Sequence, residues 1–198
     1  MSSLGAMMDY SVNACGENLV SFYDRFLSSG IADLFFRANP GIIAGCSGIE
    51  LAQKVALRTG RPLAPADDFI DIGSPEYWTG WTLAYLSWYL NIDFRTLKSK
   101  GVGAAEVHLR YSTLHKADLS KAVNFANKQI ADANASGNLL KIARQNVGMT
   151  QRELSNASGV SLRAIRAYEQ GQLSLRNAEA ASVSNLIRII GCTEGRLY

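Results

Sequence analysis

The sequence predicts an all-α protein made of two helical modules. Three observations carry this expectation. Almost every periodic stretch repeats its apolar residues at helical spacing, and none alternates polar and apolar residues long enough for a strand. Serine, threonine or aspartate stands ahead of several of these stretches, where a side-chain oxygen can cap the first turn. One run of small and polar residues, Asn134-Ala135-Ser136-Gly137-Asn138, interrupts the pattern and sets the expected boundary between a module of residues 1–138 and one of 139–198.

Taken in order, Leu19, Phe22, Tyr23, Phe26 and Leu27 share a helical face, with Gly30 as a stop, and a second helix is expected over Ile31 to Phe36. Ser47-Gly48-Ile49-Glu50 has the form of a capping box, in which hydroxyl and carboxylate each satisfy a backbone donor, and it opens a helix expected to end near Gly60-Arg61-Pro62. Asp67 to Asp71 reads as a connecting loop. Ser74-Pro75-Glu76 starts the most aromatic helix, since serine caps and proline is tolerated in the first turn. Trp78, Trp81, Tyr85 and Trp88 fall on one face, and a stripe of this kind reads as core rather than as a base-stacking ledge. The stretch Glu76 to Leu90 nevertheless holds three tryptophans and three tyrosines, more than one face buries, so Tyr77 and Tyr89 are expected partly exposed, near a surface that binds a protein partner. Asp118 caps a further helix that turns Leu119, Ala122, Val123, Ala126 and Ile130 inward and is expected to close at Asn134 to Asn138.

The totals set the class. With 198 residues and 47% apolar content the chain has room for one ordinary or two small globular domains. The most apolar stretch, Tyr77 to Leu90, falls short of the roughly 20 residues a membrane span needs, and the N-terminus has no basic-then-apolar pattern of a secretory signal. A soluble, cytoplasmic protein is the expectation. Cys15, Cys46 and Cys192 form no metal-binding spacing and are expected reduced. The formal charge of +3 is unevenly spread: residues 139–198 hold eight Lys/Arg and four Asp/Glu, a net of +4, which leaves 12 basic and 13 acidic residues, a net of −1, in 1–138. The excess positive charge lies in the C-terminal third, as expected of a segment facing nucleic acid.

That third carries the informative motif. Leu139-Leu140-Lys141-Ile142-Ala143-Arg144 is followed by Gly148-Met149-Thr150-Gln151-Arg152-Glu153-Leu154 and then by Gly159-Val160-Ser161-Leu162-Arg163-Ala164-Ile165-Arg166-Ala167-Tyr168-Glu169-Gln170-Gly171. Thr150 and Glu153 repeat the capping-box pattern, Gly159 suits a tight turn between two helices, Ser161 caps the second, and Gly171 ends it. In this order the residues closely resemble the Cro/repressor-type (XRE) helix-turn-helix family over about 60 positions. The resemblance implies a five-helix, lambda-repressor-like domain. Leu154, Val160, Ile165 and Tyr168 fall at its small core, Leu186 and Ile190 on a fourth helix, and Thr193 to Leu197 on a fifth, with Leu197 as last anchor. Ser155 stands where the family usually has alanine, and Gln172 to Ser184 is slightly longer than usual and lacks the common proline.

The resemblance also implies a site. The helix from Ser161 to Tyr168 is expected in the major groove of a double-stranded DNA operator, with Ser161, Leu162, Arg163 and Arg166 against the bases. An arginine fork can donate to guanine O6 and N7 together, which makes Arg163 the first candidate for base readout, and Leu162 suits a thymine methyl. Gln151, Arg152 and Arg176 are expected at phosphates, Gln151 also bracing the recognition helix.

Elsewhere the chemistry is thin. His108, His115 and Asp118 form no metal-ligand spacing, Gly101-Val102-Gly103-Ala104-Ala105-Glu106 lacks the third glycine of a dinucleotide fingerprint and reads as a helix entry, and no nucleophile pattern is present. No metal, cofactor or catalytic site is expected. The segments Ser29-Gly30-Ile31-Ala32, Ser47 to Ala52, Tyr77 to Trp81 and Leu114 to Asp118 resemble the leading region of bacterial regulators, some of them antitoxins. The implied function is a sequence-specific transcriptional repressor, in its extended form the antitoxin of a toxin pair, with the N-terminal helices binding a toxin or effector. Two rivals stand beside it: an enzyme or toxin domain tethered to DNA, and a helix-turn-helix used only for protein contacts, against which Arg163 and Arg166 argue. A homodimer is expected, joined through the N-terminal helices since the chain stops just after the last helix.

Overall fold

The computed structural model describes residues 1–191, with the helical backbone alone at 135–138. In chain order the helices are α1 (Ser2–Asp9), α2 (Leu19–Ser28), α3 (Ile31–Phe36), α4 (Pro40–Ile43), α5 (Gly48–Arg58), α6 (Pro75–Leu90), α7 (Phe94–Ser99), α8 (Ala104–His108), α9 (Tyr111–Leu114), α10 (Leu119–Asn146), α11 (Gln151–Ser158), α12 (Leu162–Glu169) and α13 (Ala180–Ile190). Tyr10–Ala14 prolongs α1 as a π-helical turn, and Leu175–Asn177 is a short 3₁₀ turn. No strand occurs among the described residues, in keeping with the all-α expectation, and none of their helices is long and apolar enough to cross a membrane. The chain divides into two compact units, Met1–Lys98 with Val102–Asn124, and Ser99–Gly101 with the residues from Phe125 onward.

The first unit is organised around α1, a helix the sequence reading did not contain. Leu4, Met7 and Met8 are fully buried, and α1 packs against both α5 and α6. The approach is close because glycines receive it. A Cβ on Gly80 would lie 2.8 Å from Met8 Cγ and 2.9 Å from the Leu4 carbonyl carbon, and one on Gly48 would lie 2.8 Å from the Ala6 carbonyl carbon. Asp9, buried at the end of α1, accepts from Ser74 Oγ (2.6 Å), from the Asp71 amide (2.8 Å) and from Asn13 Nδ2 (2.7 Å). Its carboxylate therefore fixes the N-terminal end of α6, and a buried charge is tolerated because three donors face it.

Helix α6 corrects the aromatic-core expectation. The buried face is the one with smaller side chains, Thr79, Gly80, Thr82, Leu83, Ala84, Leu86 and Ser87. Trp78, Trp81, Tyr85 and Trp88 are only half-buried. Close packing of α1 demands small residues, so that face wins the core. The large rings are left to stack: Trp81 on Tyr85 at 5.6 Å and Tyr85 on Tyr89 at 5.4 Å. Trp88 stacks on Phe35 at 5.2 Å, at the margin of a cluster formed by Phe26, Phe35 and Phe94. Tyr77 is half-buried, and Tyr89 is exposed.

The expected caps form. Ser47 and Glu50 make both bonds of a capping box, Ser74 accepts from the Tyr77 amide, and Asp118 accepts from the Ser120 amide. Helix α10, however, does not close at Asn134 to Asn138 but runs unbroken for 28 residues to Asn146. Buried Ala133 and Leu140, seven residues apart, keep one face of α10 in register across this stretch. That packing outweighs the ~1 kcal/mol cost of a mid-helix glycine. The second compact unit takes in α10 from Phe125 onward together with the loop Ser99–Gly101. On the same helix Ala122, Val123 and Ala126 are buried as expected, whereas Leu119 is exposed in its first turn.

Cys15 and Cys46 are buried free thiols. Cys192 and the expected fifth helix from Thr193 to Leu197 lie outside the described residues.

Candidate nucleic-acid interface

The second unit builds its surface from caps and turns. Thr150 Oγ1 accepts from the Glu153 amide (3.2 Å) and Glu153 Oε2 accepts from the Thr150 amide (2.7 Å), starting α11. The backbone donor at Thr150 holds the Glu153 carboxyl below its ordinary range. Gly159 then takes φ of 72°, a left-handed conformation that strains other residues. Two serines tie the turn. Ser155 Oγ donates to the Val160 carbonyl (2.7 Å), and Ser158 Oγ donates to the Leu154 carbonyl while accepting from the Val160 amide. Ser155, at a position where the family the motif resembles usually has alanine, thus closes a hydrogen bond across the bend.

Helix α12 starts on Ser161, whose Oγ accepts from the Ala164 amide (3.2 Å). Ile165 and Tyr168 face a core shared with Leu140, Leu154, Val160, Leu175, Leu186 and Ile190. The four core positions read from the sequence are all buried. On the opposite side Ser161, Arg163, Arg166 and Gln170 are exposed, and Leu162 is half-buried. Arg163 and Arg166 border a groove of about 710 Å³ that Gln170, Gln172 and Leu173 extend. The four positions expected at bases are therefore gathered on one helix and its cap. The glutamines that prolong the groove went unnoticed in the sequence, since only the fold brings the segment after Gly171 alongside α12.

The remaining candidates are more dispersed. Gln151 sits at the start of α11 and donates through Nε2 to Glu169 Oε2 (2.7 Å). It braces α12 as expected. Arg152 is exposed on α11, and Arg176 is exposed in the 3₁₀ turn, where its amide donates to Ser174 Oγ (3.3 Å).

A buried ion pair lies outside the sequence-based expectations for this unit. Arg144, near the end of α10, makes a forked pair with Glu169 in the last turn of α12, Nε to Oε1 at 2.6 Å and Nη2 to Oε2 at 3.0 Å, and donates from Nη1 to the Met149 carbonyl at 2.6 Å. Their side chains are 9% and 3% exposed. Desolvation alone would raise the Glu169 carboxyl, but the bonds from Arg144 and Gln151 prevail and hold it below its ordinary range. Arg144 and Glu169 both belong to the motif, yet their 25-residue separation hides the pairing from any local reading. A buried, hydrogen-bonded ion pair of this kind fixes geometry more than it adds net stability.

Of the histidines, His108 Nε2 lies 3.0 Å from Glu76 Oε1 and His115 Nδ1 lies 2.6 Å from the Tyr111 carbonyl. The fold does not bring them together with Asp118, which is occupied as a cap. The glycine-rich stretch Gly101 to Glu106 enters α8, with the Gly103 amide donating to Glu106 Oε2 (3.1 Å).

Comparison with known families gives one match: residues 140–195 fit the helix-turn-helix family, the one the motif resembles. The chain has no match among curated proteins or solved structures.

Proposed function

We propose, from the match of residues 140–195 to the helix-turn-helix family, that the chain is a sequence-specific DNA-binding regulator that represses transcription by laying α12 in the major groove of its operator. One observation carries the reading: Arg163 and Arg166 stand exposed together on the outer face of α12, while its inner face is buried and its last turn is locked by Arg144, Glu169 and Gln151. A helix packed on its inner face that presents two exposed guanidinium groups suits base-edge recognition. Arg163 reads guanine, Arg166 and Ser161 assist, and Leu162 meets a thymine methyl. Gln151, Arg152 and Arg176 hold phosphates.

Arg163→Ala is expected to cost about 1–3 kcal/mol on the preferred site and to relax the preference at one base position, while loss of a phosphate contact weakens all sequences alike. Site selection from a random duplex pool, followed by titration at two salt concentrations, measures both. Affinity that does not fall with salt would remove the electrostatic basis of the proposal.

The protein acts as a homodimer, because one short recognition helix reads only a few base pairs and paired half-sites about one helical turn apart supply the rest. A monomer in light scattering together with a single half-site footprint would refute this. The stacked rings of Trp81, Tyr85 and exposed Tyr89 favour a protein partner at the first unit, which is the surface an antitoxin needs. On that reading, neutralisation of a toxin encoded beside the gene survives Arg163→Ala.

A further inference from the structure

We propose that Lys100 is a positioning residue for DNA reading: from the Ser99–Gly101 loop it clamps the backbone that leaves the recognition helix, and so sets the angle at which Arg163 and Arg166 meet the bases. The role in reading rests on the function proposed above.

The last carbonyls of a helix lack intrahelical donors and carry the negative end of its dipole. Beyond α12 the chain folds back tightly, with the Gln172 amide donating to the Ala167 carbonyl at 2.8 Å and the Leu173 amide to the same oxygen at 3.1 Å. Lys100 Nζ donates to the Gly171 carbonyl within this turn. The same ammonium reaches Asn134 Oδ1 on α10 at 2.5 Å. On the far side of the turn the Ser174 amide donates to the Ser99 carbonyl at 3.1 Å. Two bonds from one three-residue loop therefore bracket residues 171–174.

Close approach is built in. Gly171 is buried, and a Cβ there would lie 2.7 Å from Asn134 Oδ1. A Cβ on Gly101 would likewise lie 3.2 Å from Gln129 Oε1, so the loop meets α10 at Gly101 as well as through the Lys100 side chain. Lys100 is itself half-buried, and desolvation lowers its pKa. A lysine that only solubilised the surface would keep its water. Arg144 and Glu169 hold the last side chain of α12, whereas Lys100 holds the main chain beyond it, so the two restraints act on different atoms of the same helix end.

The test uses the full chain, with Lys100→Ala and Lys100→Arg, a duplex selected by the wild type from a random pool, and a scrambled duplex of equal length. For Lys100→Ala the dissociation constant is expected to rise about tenfold on the selected duplex and less than twofold on the scrambled one. Amide exchange at Gln170 to Leu173 is expected to quicken about tenfold, with exchange at Leu154 and Ile165 unchanged. Arginine, which keeps charge and donors, restores both. Equal losses on the two duplexes with unchanged exchange would make Lys100 a phosphate contact and overturn the proposal. Faster exchange throughout the core would overturn it too, since Lys100 would then hold the whole unit. If the wild type selects no duplex, the DNA-reading assignment fails and the clamp with it as a DNA-reading device, while the exchange measurement still decides whether Lys100 holds the end of α12.

Discussion

Replacing Glu169 by alanine is expected to destabilise the helix-turn-helix unit by about 3–5 kcal/mol, the range for removing one partner of a buried ion pair. Arg144 would keep its charge at 9% side-chain exposure with only the Met149 carbonyl for company, and Gln151 would lose its acceptor. For a unit of this size each kcal/mol moves the melting temperature by about 4–8 °C. A fall of more than about 12 °C by circular dichroism is therefore expected. The double replacement Arg144→Met with Glu169→Leu should recover most of it, since apolar pairs of similar volume often substitute well for buried ions. A single variant that melts with the wild type would show that the pair holds nothing. Acid gives an independent check. The Glu169 carboxyl is depressed in the fold, where the bonds from Arg144 and Gln151 overcome desolvation. Its contribution is complete above the ordinary glutamate pKa of about 4.3 and is lost as pH falls through the lower folded value. Wild-type stability should fall in that acid window, and Glu169→Ala should show a shallower fall.

Gly80→Val is expected to cost the first unit about 3 kcal/mol or more, at or above the upper end of the range for overpacking. The added Cβ would lie 2.9 Å from the Leu4 carbonyl carbon and 2.8 Å from Met8 Cγ. The Leu4 backbone cannot swing aside as a side-chain tip can, so α1 must back away from α6, and every contact made by Met7 and Met8 loosens with it. Trp78, Trp81 and Trp88 all lie on α6 and are the three tryptophans of the chain. Tryptophan emission during urea unfolding therefore reports on this helix alone, and its midpoint should drop while Gly80→Ala drops it less. An unchanged midpoint for the valine variant would mean that α1 does not seat on Gly80.

Much of the helix-turn-helix unit was legible because its signals are local. Thr150 with Glu153, Gly159 and Ser161 each dictate the backbone within four residues, and the resulting helices place Arg163 and Arg166 outward by their period alone. Signals that depend on distant partners were not legible. Helix α1 has Gly5 and Asp9 among its buried residues, a pattern that makes sense only once Tyr77 and Ser74 are in place. On α6 size was read as burial. The aromatic stripe has the greater hydrophobicity, but the core went to Gly80, Ala84 and their neighbours because a helix had to lie against them. At Asn134 to Asn138 composition suggested a break, and the burial of Ala133 and Leu140 on either side overrode it.

The anchoring of α1 also bears on how the chain comes to be folded. During synthesis this helix leaves the ribosome long before the residues that receive it, and Asp9 waits for a serine 65 positions downstream. Until then Leu4, Met7 and Met8 have no core to enter, and contacts of such long sequence separation form late. An apolar helix left open in this way invites association with other nascent chains. Crowded expression at high temperature should therefore send this protein into aggregates through α1.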